Sequence, residues 1–326
     1  MIKISKHILI AVIALASVSA SAQTTTNSPY SQRGLGDLKG LLLPQNLGMG
    51  GISMGVRKPG PYYNINPANP ASYSALQLTT FDIGATTDIR QLSKVGTSEN
   101  SFNASLSHIT FAVPVNAKSA LSIGLLPFSE MGYQFKVASQ IDTNKTNFIY
   151  DGDGGLSKAY VGYGFSVLKN LSIGANLGYV FGNLKENRSA VFPDQPAALN
   201  SRIQDSRSVE GFSYDYALQY TAKLTDATKL VIGYSGNAGG KLNSKNSIVS
   251  THFRLDAMGN ESPALDTVFN AEGTRQNLKL PLTHTVGFAF EGTNKWLVGM
   301  DVSYAKWSDF KVGNVNGGLS NTYGVA

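Results

Sequence analysis

The sequence predicts an all-β protein, a transmembrane antiparallel β-barrel with a small N-terminal plug. Three observations lead to this fold class. Apolar residues recur at every second position in many stretches, the connections between these stretches alternate between short and long, and an export signal precedes a chain without a long apolar run. An exported chain of this kind must cross a membrane as strands closed into a barrel, because lipid offers backbone N–H and C=O groups no partners.

The stretch from Leu171 to Leu184 shows the alternation most clearly. Every odd position from Leu171 to Phe181 is apolar, whereas the even positions are mostly small or polar. Successive side chains of a strand point to opposite faces, so this stretch has one apolar face and one small, wettable face. A strand tilted by roughly 45° crosses the hydrocarbon core in about 9–11 residues, so the stretch is long enough to span it.

The same pattern recurs along the chain. A soluble sandwich also alternates, so one such strand means little. Many long strands with aromatic residues on the apolar side favour a membrane barrel instead. The other clear examples are residues 159–167, 212–220 and 296–304.

Residues 1–22 have the features of a secretory signal peptide. Lys3 and Lys6 precede an apolar run from Ile8 to Val18, and Ala20-Ser21-Ala22 fits the small-residue cleavage rule. The run is shorter than the roughly 20 residues of a membrane-spanning helix. We therefore expect a protein of the bacterial outer membrane, cleaved after Ala22.

The residue counts and the net charge exclude several classes of function. The chain has 326 residues with 34 Gly, 15 Tyr, 15 Phe and no Cys, which excludes disulfides and thiol catalysis. Loss of Lys3 and Lys6 with the signal lowers the formal charge from +6 to +4 (6 − 2), and no Lys/Arg stripe is present. We therefore expect no nucleic-acid partner. The four His residues are scattered, and we expect neither a metal site nor a cofactor.

The mature chain divides into two regions. Residues 23–74 are rich in Gly and Pro and lack a period of two, and we interpret them as a hatch that plugs the barrel formed by residues 75–326. About ten strands are expected, joined alternately by short turns and long loops that face the periplasm and the outside, respectively. The expected strands are 76–90, 102–115, 119–138, 156–168, 171–184, 208–222, 228–238, 282–291, 295–305 and 319–326. The long loops between them include 91–101, 139–155, 185–207 and 239–281.

The last expected strand stops at Ala326 after only a few residues. An open strand edge in lipid leaves unpaired backbone groups, which is costly. We therefore expect this chain to lack the last strands of the barrel.

Two motifs resemble the FadL/TodX family of outer-membrane transporters of long-chain fatty acids and other hydrophobic molecules. Asn64-Ile65-Asn66-Pro67-Ala68 is similar to the motif that ends the hatch in that family. Leu280-Pro281, Trp296 and the stretch from Asp301 to Phe310 are similar to a second, more specific family pattern. The resemblance implies a barrel of about 14 strands with a hatch. It also implies a hydrophobic ligand, such as a fatty acid, and contact with outer-membrane lipid.

The third expected strand is interrupted at Pro127, Phe128, Ser129 and Gly132. Pro removes a ladder hydrogen bond and Gly often marks a bulge or a kink. The family resemblance implies an inward kink here that opens a lateral exit into the bilayer, with Asn66, Pro67 and Ala68 packed against it. An ordinary bulge, or a strand that ends at Leu126, are the alternatives.

Two of the expected outside loops carry apolar residues, which we interpret as a hydrophobic entry surface. Packing of the loops on one another would explain the same residues. The residues in question are Val191, Phe192, Leu199, Phe253, Leu255 and Met258. A fatty acid would also need one cation near its head group, and the sequence does not single out which Arg or Lys serves.

Other functions have weaker support. Gly51-Ile52-Ser53-Met54-Gly55 matches the nucleophile elbow of hydrolases. The sequence predicts neither a strand before this motif nor a βαβ pattern after it. We therefore expect no catalytic residue and no enzyme. A barrel of the same shape could instead bind a partner as a component of a protein secretion system. A soluble all-β adhesin is the third alternative.

Overall fold

The computed structural model describes residues 28–57, 64–94, 96–195, 197–256, 258–292 and 295–326. The expected signal peptide lies outside the described residues. Within them, none of the helices combines the length and the apolar composition that crossing a bilayer as a helix requires.

The described residues form one 15-stranded antiparallel sheet that curls into a half-barrel. Its strands are β1 (Asp37–Leu38), β2 (Thr80–Lys94), β3 (Thr97–Asn116), β4 (Ser119–Ile141), β5 (Asn144–Ser166), β6 (Leu171–Val191), β7 (Asn200–Lys223), β8 (Thr228–Asn237), β9 (Lys241–Phe253), β10 (Asp266–Lys279), β11 (Thr283–Gly292), β12 (Trp296–Ala305), β13 (Lys311–Val312), β14 (Val315–Asn316) and β15 (Thr322–Val325). One short α-helix, α1 (Pro44–Gly48), and 3₁₀ helices at Pro29–Gln32, Pro70–Ala75 and Trp307–Asp309 complete the elements. The fold class predicted from the sequence is confirmed.

The strands follow one another around the sheet in chain order, from β2 to β7. Beyond β7, two shorter strands replace each long strand of the sheet. Residues 200–210 of β7 pair with β9 and residues 215–223 pair with β8, because residues 238–240 separate β8 from β9. Residues 280–282 likewise separate β10, which pairs with β9, from β11, which pairs with β8.

The alternating pattern forms an apolar belt on the outer face of the sheet. Leu177 and Tyr216 are 41% and 40% exposed, whereas Ser172 and Asn176 on the inner face are 1% and 3% exposed. The belt runs from Leu171 to Phe181 on β6, after which Asn183 and Lys185 follow on the same face. Its length agrees with the roughly 9–11 residues that a tilted strand needs to cross the hydrocarbon core.

The prediction of long loops is largely wrong, because most of these segments form strands. Residues 139–155 contain only a two-residue turn at 142–143, where Asp142 adopts a left-handed conformation (φ 52°). β2 continues to Lys94 and β3 begins at Thr97, residues 185–207 are mostly strand, and residues 239–281 contain β9 and β10. The strands simply continue beyond the apolar belt. There the outer face carries polar residues such as Asn183 and Lys185, so the sequence loses the alternation that marks a strand.

Candidate functional site

The N-terminal segment, residues 28–57 and 64–75, lies against the concave face of the sheet. Its apolar residues Leu43, Ile65 and Tyr73 pack against residues of β3, β4 and β5. The small residues of the inner wall allow this packing. A Cβ atom at Gly233 would overlap the carbonyl oxygen of Met54, so this position has room only for glycine.

Asp301 on β12 fixes the loop that contains Ser53. Its Oδ2 atom accepts hydrogen bonds from the backbone N–H of Ser53 (2.7 Å), the Ser53 hydroxyl (3.1 Å) and the backbone N–H of Met54 (2.9 Å). Asp301 is 4% exposed and Ser53 2%. Ser53 is therefore buried as a donor to a carboxylate, and the structure gives it the role of an anchor point.

Amide side chains hold the backbone carbonyl groups of the same loop. Asn66 Nδ2 donates to the carbonyl of Ser53 (2.8 Å), and Gln219 Nε2 donates to the carbonyls of Met54 (2.8 Å) and Val56 (3.2 Å). Asn176 Nδ2 on β6 donates to the carbonyl of Pro67 (3.0 Å). The N-terminal segment is thus recognised through its backbone by polar residues of the wall.

The remaining residues of the expected hatch motif are placed as follows. Ala68 is 8% exposed and lines a cavity that Phe128 of β4 also lines. Asn64 is half-buried, and its side-chain amide makes no hydrogen bond within the described residues. The motif therefore meets β6 through Pro67 and shares a cavity with the interrupted strand β4.

Strand β4 contains a β-bulge at the predicted interruption. Pro127 is opposite Ser157 and Ser129 is opposite Leu156, so Phe128 is the extra residue. One extra residue exchanges the two faces of a strand. Before the bulge Leu121 and Ile123 face outward, whereas after it the odd-numbered residues face inward, as the buried Met131 and Tyr133 show. The alternative that the strand ends at Leu126 is wrong, because β4 continues to Ile141.

Beyond the bulge β4 parts from β3. Their last described pair is Ile109 with Leu125, although both strands continue. We call the space between β3 residues 97–108 and β4 residues 126–141 the edge gap. It leaves one edge of β4 without its strand neighbour.

Residues 28–39 of the N-terminal segment occupy that edge of β4. In β1, Asp37 is opposite Glu130 and Leu38 is opposite Ser129. The backbone N–H of Lys39 donates to the carbonyl of Phe128 (2.9 Å), and that of Ser28 donates to the carbonyl of Gly132 (2.9 Å). Residues 28–39 thus form hydrogen bonds with the edge of β4 that β3 leaves unpaired.

A cluster of charged side chains, the edge ion cluster, connects residues 28–39 to both sides of the gap. Lys39 Nζ lies 3.1 Å from Glu130 Oε2 of β4 and 3.9 Å from Asp88 Oδ2 of β2. Arg90 of β2 lies 3.2 Å from Asp37 Oδ2. These side chains are partly exposed, so each pair contributes only about 0.2–1 kcal/mol. The edge ion cluster therefore adds little to the backbone hydrogen bonds of β1 and the packing of Leu35, which also hold the segment.

An apolar layer crosses the interior beside Leu35, which is 4% exposed. Residues from β4, β5, β6, β7, β9 and β10 contribute to it, which makes the inner face apolar at this level. The residues of this apolar layer are Leu35, Met131, Tyr133, Leu156, Val180, Leu184, Val209, Leu242, Leu278, Leu280 and Phe310. This layer was not identified from the sequence, because Met131 and Tyr133 change face at the bulge and Leu242 and Leu278 lie in strands that were expected to be loops.

Two cavities flank the apolar layer. One of about 270 Å³ is lined by Leu35, Leu38, Trp307 and Phe310 together with Arg33, for which the described residues offer no acidic partner. The other, of about 380 Å³, has both apolar and charged lining residues. It contains the buried pair of Lys158 Nζ and Asp215 Oδ2, 2.6 Å apart, and Asp301. Asp215 and Asp301, each 4% exposed, face the interior.

The residues expected to form entry loops do not share one environment. Val191 and Phe253 are the last residues of β6 and β9 and are 5% and 2% exposed. They are too buried to belong to an exposed entry surface, and Phe253 packs under the Arg202 guanidinium. Phe192, Leu199, Leu255 and Met258 do lie outside the long strands, with Leu199 and Met258 exposed.

Among the described residues, no group of three or more His, Cys, Asp or Glu side chains is placed to hold a metal ion.

Comparison with known proteins identifies a matching family model and solved structures of similar fold. A family model described as BamG matches residues 1–323. Among solved structures, the P. putida toluene transporter TodX is similar at 20% identity and a TM-score of 0.50, over 81% of this chain and 70% of TodX. The Ralstonia pickettii toluene transporter TbuX is similar at 16% identity and a TM-score of 0.50, over 87% of this chain and 78% of TbuX. No curated protein matches the sequence.

The two kinds of match differ in what they show. The matching family model carries a different name from the FadL/TodX family whose motifs the sequence resembles. The likeness to TodX and TbuX, at such low identity, is a likeness of fold, and a fold alone does not fix a function.

Proposed function

The chain belongs to the BamG family, and we propose that it is an outer-membrane channel for the passive passage of hydrophobic molecules. The observation that carries this proposal is the apolar layer around Leu35. Interiors of water-filled porins are polar. An apolar layer inside a membrane barrel instead disfavours ions and favours an apolar solute. The shared fold with toluene transporters supports the same function.

The proposed route uses features on both sides of the apolar layer. A hydrophobic molecule would adsorb outside the belt, enter the 270 Å³ cavity beside Leu35, and leave sideways through the edge gap. Residues 23–74 would act as the hatch, with Asn64, Asn66, Pro67 and Ala68 marking its inner end. Exit requires residues 28–39 to leave the edge of β4, which breaks the edge ion cluster, the backbone hydrogen bonds of β1 and the packing of Leu35.

The ligand class follows from the lining of the smaller cavity. Trp307, Phe310 and Leu319 offer apolar contacts, and Arg33 offers one cation. A small aromatic hydrocarbon needs only the apolar contacts, whereas a fatty acid would also place its carboxylate near Arg33. The substitution Arg33→Gln should therefore reduce uptake of oleate several-fold and leave uptake of toluene unchanged, which distinguishes the two classes.

The proposal is tested by measuring uptake in a strain from which the gene is deleted and in the same strain carrying the gene on a plasmid. Uptake of labelled toluene and oleate should fall on deletion and return with the wild-type chain. The variant Leu242→Asp places a charge on the wall of the apolar layer, outside residues 28–39, and should lower uptake about tenfold, since an apolar solute must then pass a buried charge. Leu224→Asp, at an exposed Leu in the turn after β7, is the matched control and should transport normally.

Unchanged uptake in the deletion strain would contradict the proposal. If the same strain lost secreted proteins, the chain would instead serve as a partner-binding component of a secretion system. Both experiments require that each variant reaches the outer membrane folded, which is checked by its heat-dependent mobility on a denaturing gel.

A further inference from the structure

The short-turn end of the sheet contains a cationic pocket separate from the bore features described above. It is a cavity of about 410 Å³ between the N-terminal segment and the turns that join β3 to β4 and β5 to β6. Its cationic lining residues are Arg57, Lys118, Lys169 and Lys229, and none of the described residues that line it is acidic.

Arg57 is the most enclosed of these cations. Its guanidinium donates only to hydroxyl groups: Nη1 to Ser172 (2.7 Å), and Nη2 to Ser74 (3.0 Å) and Ser166 (3.4 Å). No carboxylate pairs with it in the part of the chain that the structure describes. Burial lowers the pKa of the Arg57 guanidinium from its ordinary value, the direction expected of a cation without a nearby anion. A guanidinium has five N–H donors, so donors remain for a ligand.

The two turn lysines add unpaired positive charge. Lys118 and Lys169 are exposed and make no ion pair with any described residue. The backbone N–H of Ser166 donates to the carbonyl of Lys118 (2.8 Å), which ties the two turns together. Lys229 is already paired, with its Nζ 3.0 Å from Glu291 Oε1. Three of the four cations are therefore available to an anion.

The pocket also adjoins the edge of the apolar belt. Val167 and Leu168, in the turn after β5, are 49% and 59% exposed, and Phe165 and Ile173 of the belt lie immediately beyond them. Lipid phosphate groups lie at this level, just outside the hydrocarbon core.

We propose that this pocket binds a phosphate group. Arg57 would contact the phosphate oxygens through its free N–H donors, and Lys118 and Lys169 would balance the remaining charge. The phosphate could belong to a phospholipid of the periplasmic leaflet, with Leu168 against its acyl chain, or be free in the periplasm. The inference does not depend on what passes through the bore.

The test compares phosphatidylglycerol, diacylglycerol with the same acyl chains, and inorganic phosphate as ligands of the purified full chain in detergent. Retained lipid is measured by native mass spectrometry, and inorganic phosphate by the shift of the unfolding temperature. Arg57→Gln, and separately the double variant Lys118→Gln/Lys169→Gln, are compared with Lys185→Gln, which removes a cation beyond the other side of the belt. The double variant keeps the test valid if loss of Arg57 impairs folding.

We expect wild type and Lys185→Gln to retain phosphatidylglycerol but not diacylglycerol, and both pocket variants to bind at least about tenfold more weakly. Displacement of the lipid by inorganic phosphate, or stabilisation by phosphate alone, would identify a free phosphate as a ligand of the same pocket. Equal retention of phosphatidylglycerol and diacylglycerol, or equal binding by the pocket variants and Lys185→Gln, would overturn the proposal.

Discussion

At the scale of single residues, polar side chains of the wall determine where the N-terminal segment lies. The sequence indicates that Asp301 faces the interior, because it alternates with apolar neighbours on β12. It does not show that its carboxylate meets Ser53 and Met54, which are about 250 positions away in the chain. Alternation fixes the face of a side chain, whereas its partner depends on a tertiary contact that one sequence does not reveal.

Replacing Asp301 with Ala should detach the Ser53 loop from the wall. Two buried backbone N–H groups would lose their acceptor, which should lower the free energy of unfolding by about 2–4 kcal/mol. Urea unfolding in detergent micelles measures this change. Asp153→Ala, at an exposed position of β5, is the control and should change it little. Equal effects of the two variants would contradict the anchoring role of Asp301.

Gly36 offers a second test of a single residue. It has φ of +90°, and a Cβ atom there would lie 2.5 Å from the carbonyl oxygen of Glu130. Gly34 has φ of +67° but open space around it, so Gly34→Ala shares the backbone strain without the contact. Gly36→Ala should therefore expose residues 28–39 to protease several-fold more than Gly34→Ala does. Identical cleavage rates would show that the segment does not depend on close approach to β4.

At the scale of elements, the sequence predicts strands well inside the membrane and poorly beyond it. The stretch 171–184 alternates because one face meets lipid and the other meets the N-terminal segment. Residues 241–253 and 266–279 are equally regular strands, but their outer face meets water, so no apolar period of two marks them. The bulge at Phe128 could be located from Pro127 and Gly132. The exchange of faces that it produces, and the apolar layer built on it, could not.

Deletion of Phe128 should straighten β4 while keeping Met131 and Tyr133 on the inner face, because only the extra residue is lost. β3 and β4 could then pair beyond Leu125 and close the edge gap. We expect toluene uptake to fall about tenfold if the gap must open for exit. Deletion of Thr143 in the turn after β4 is a control that shortens the chain without touching the gap. Unimpaired uptake after deletion of Phe128 would contradict lateral exit.

At the scale of the whole molecule, the belt defines how the sheet sits in the membrane. Leu177 and Tyr216 project outward within the belt, and Lys185 projects outward beyond it. The chain has no native Cys, so a single Cys at each position carries a fluorescent label without further changes. Brominated lipids should quench the label strongly at Leu177→Cys and Tyr216→Cys and weakly at Lys185→Cys. Similar quenching at all three would contradict a lipid-facing belt.

The central claim is that residues 28–39 close the side of a channel for hydrophobic molecules. Leu38 and Ser129 are opposite each other in the pairing of β1 with β4. Cysteines at both positions would form a disulfide that holds the segment in place, with each single-cysteine variant as a control. The measurement is uptake of labelled toluene by cells carrying Leu38→Cys/Ser129→Cys, before and after reduction. We predict that oxidation lowers uptake about tenfold and that reduction restores it. Equal uptake in the two states, with the disulfide shown to be complete, would contradict the account.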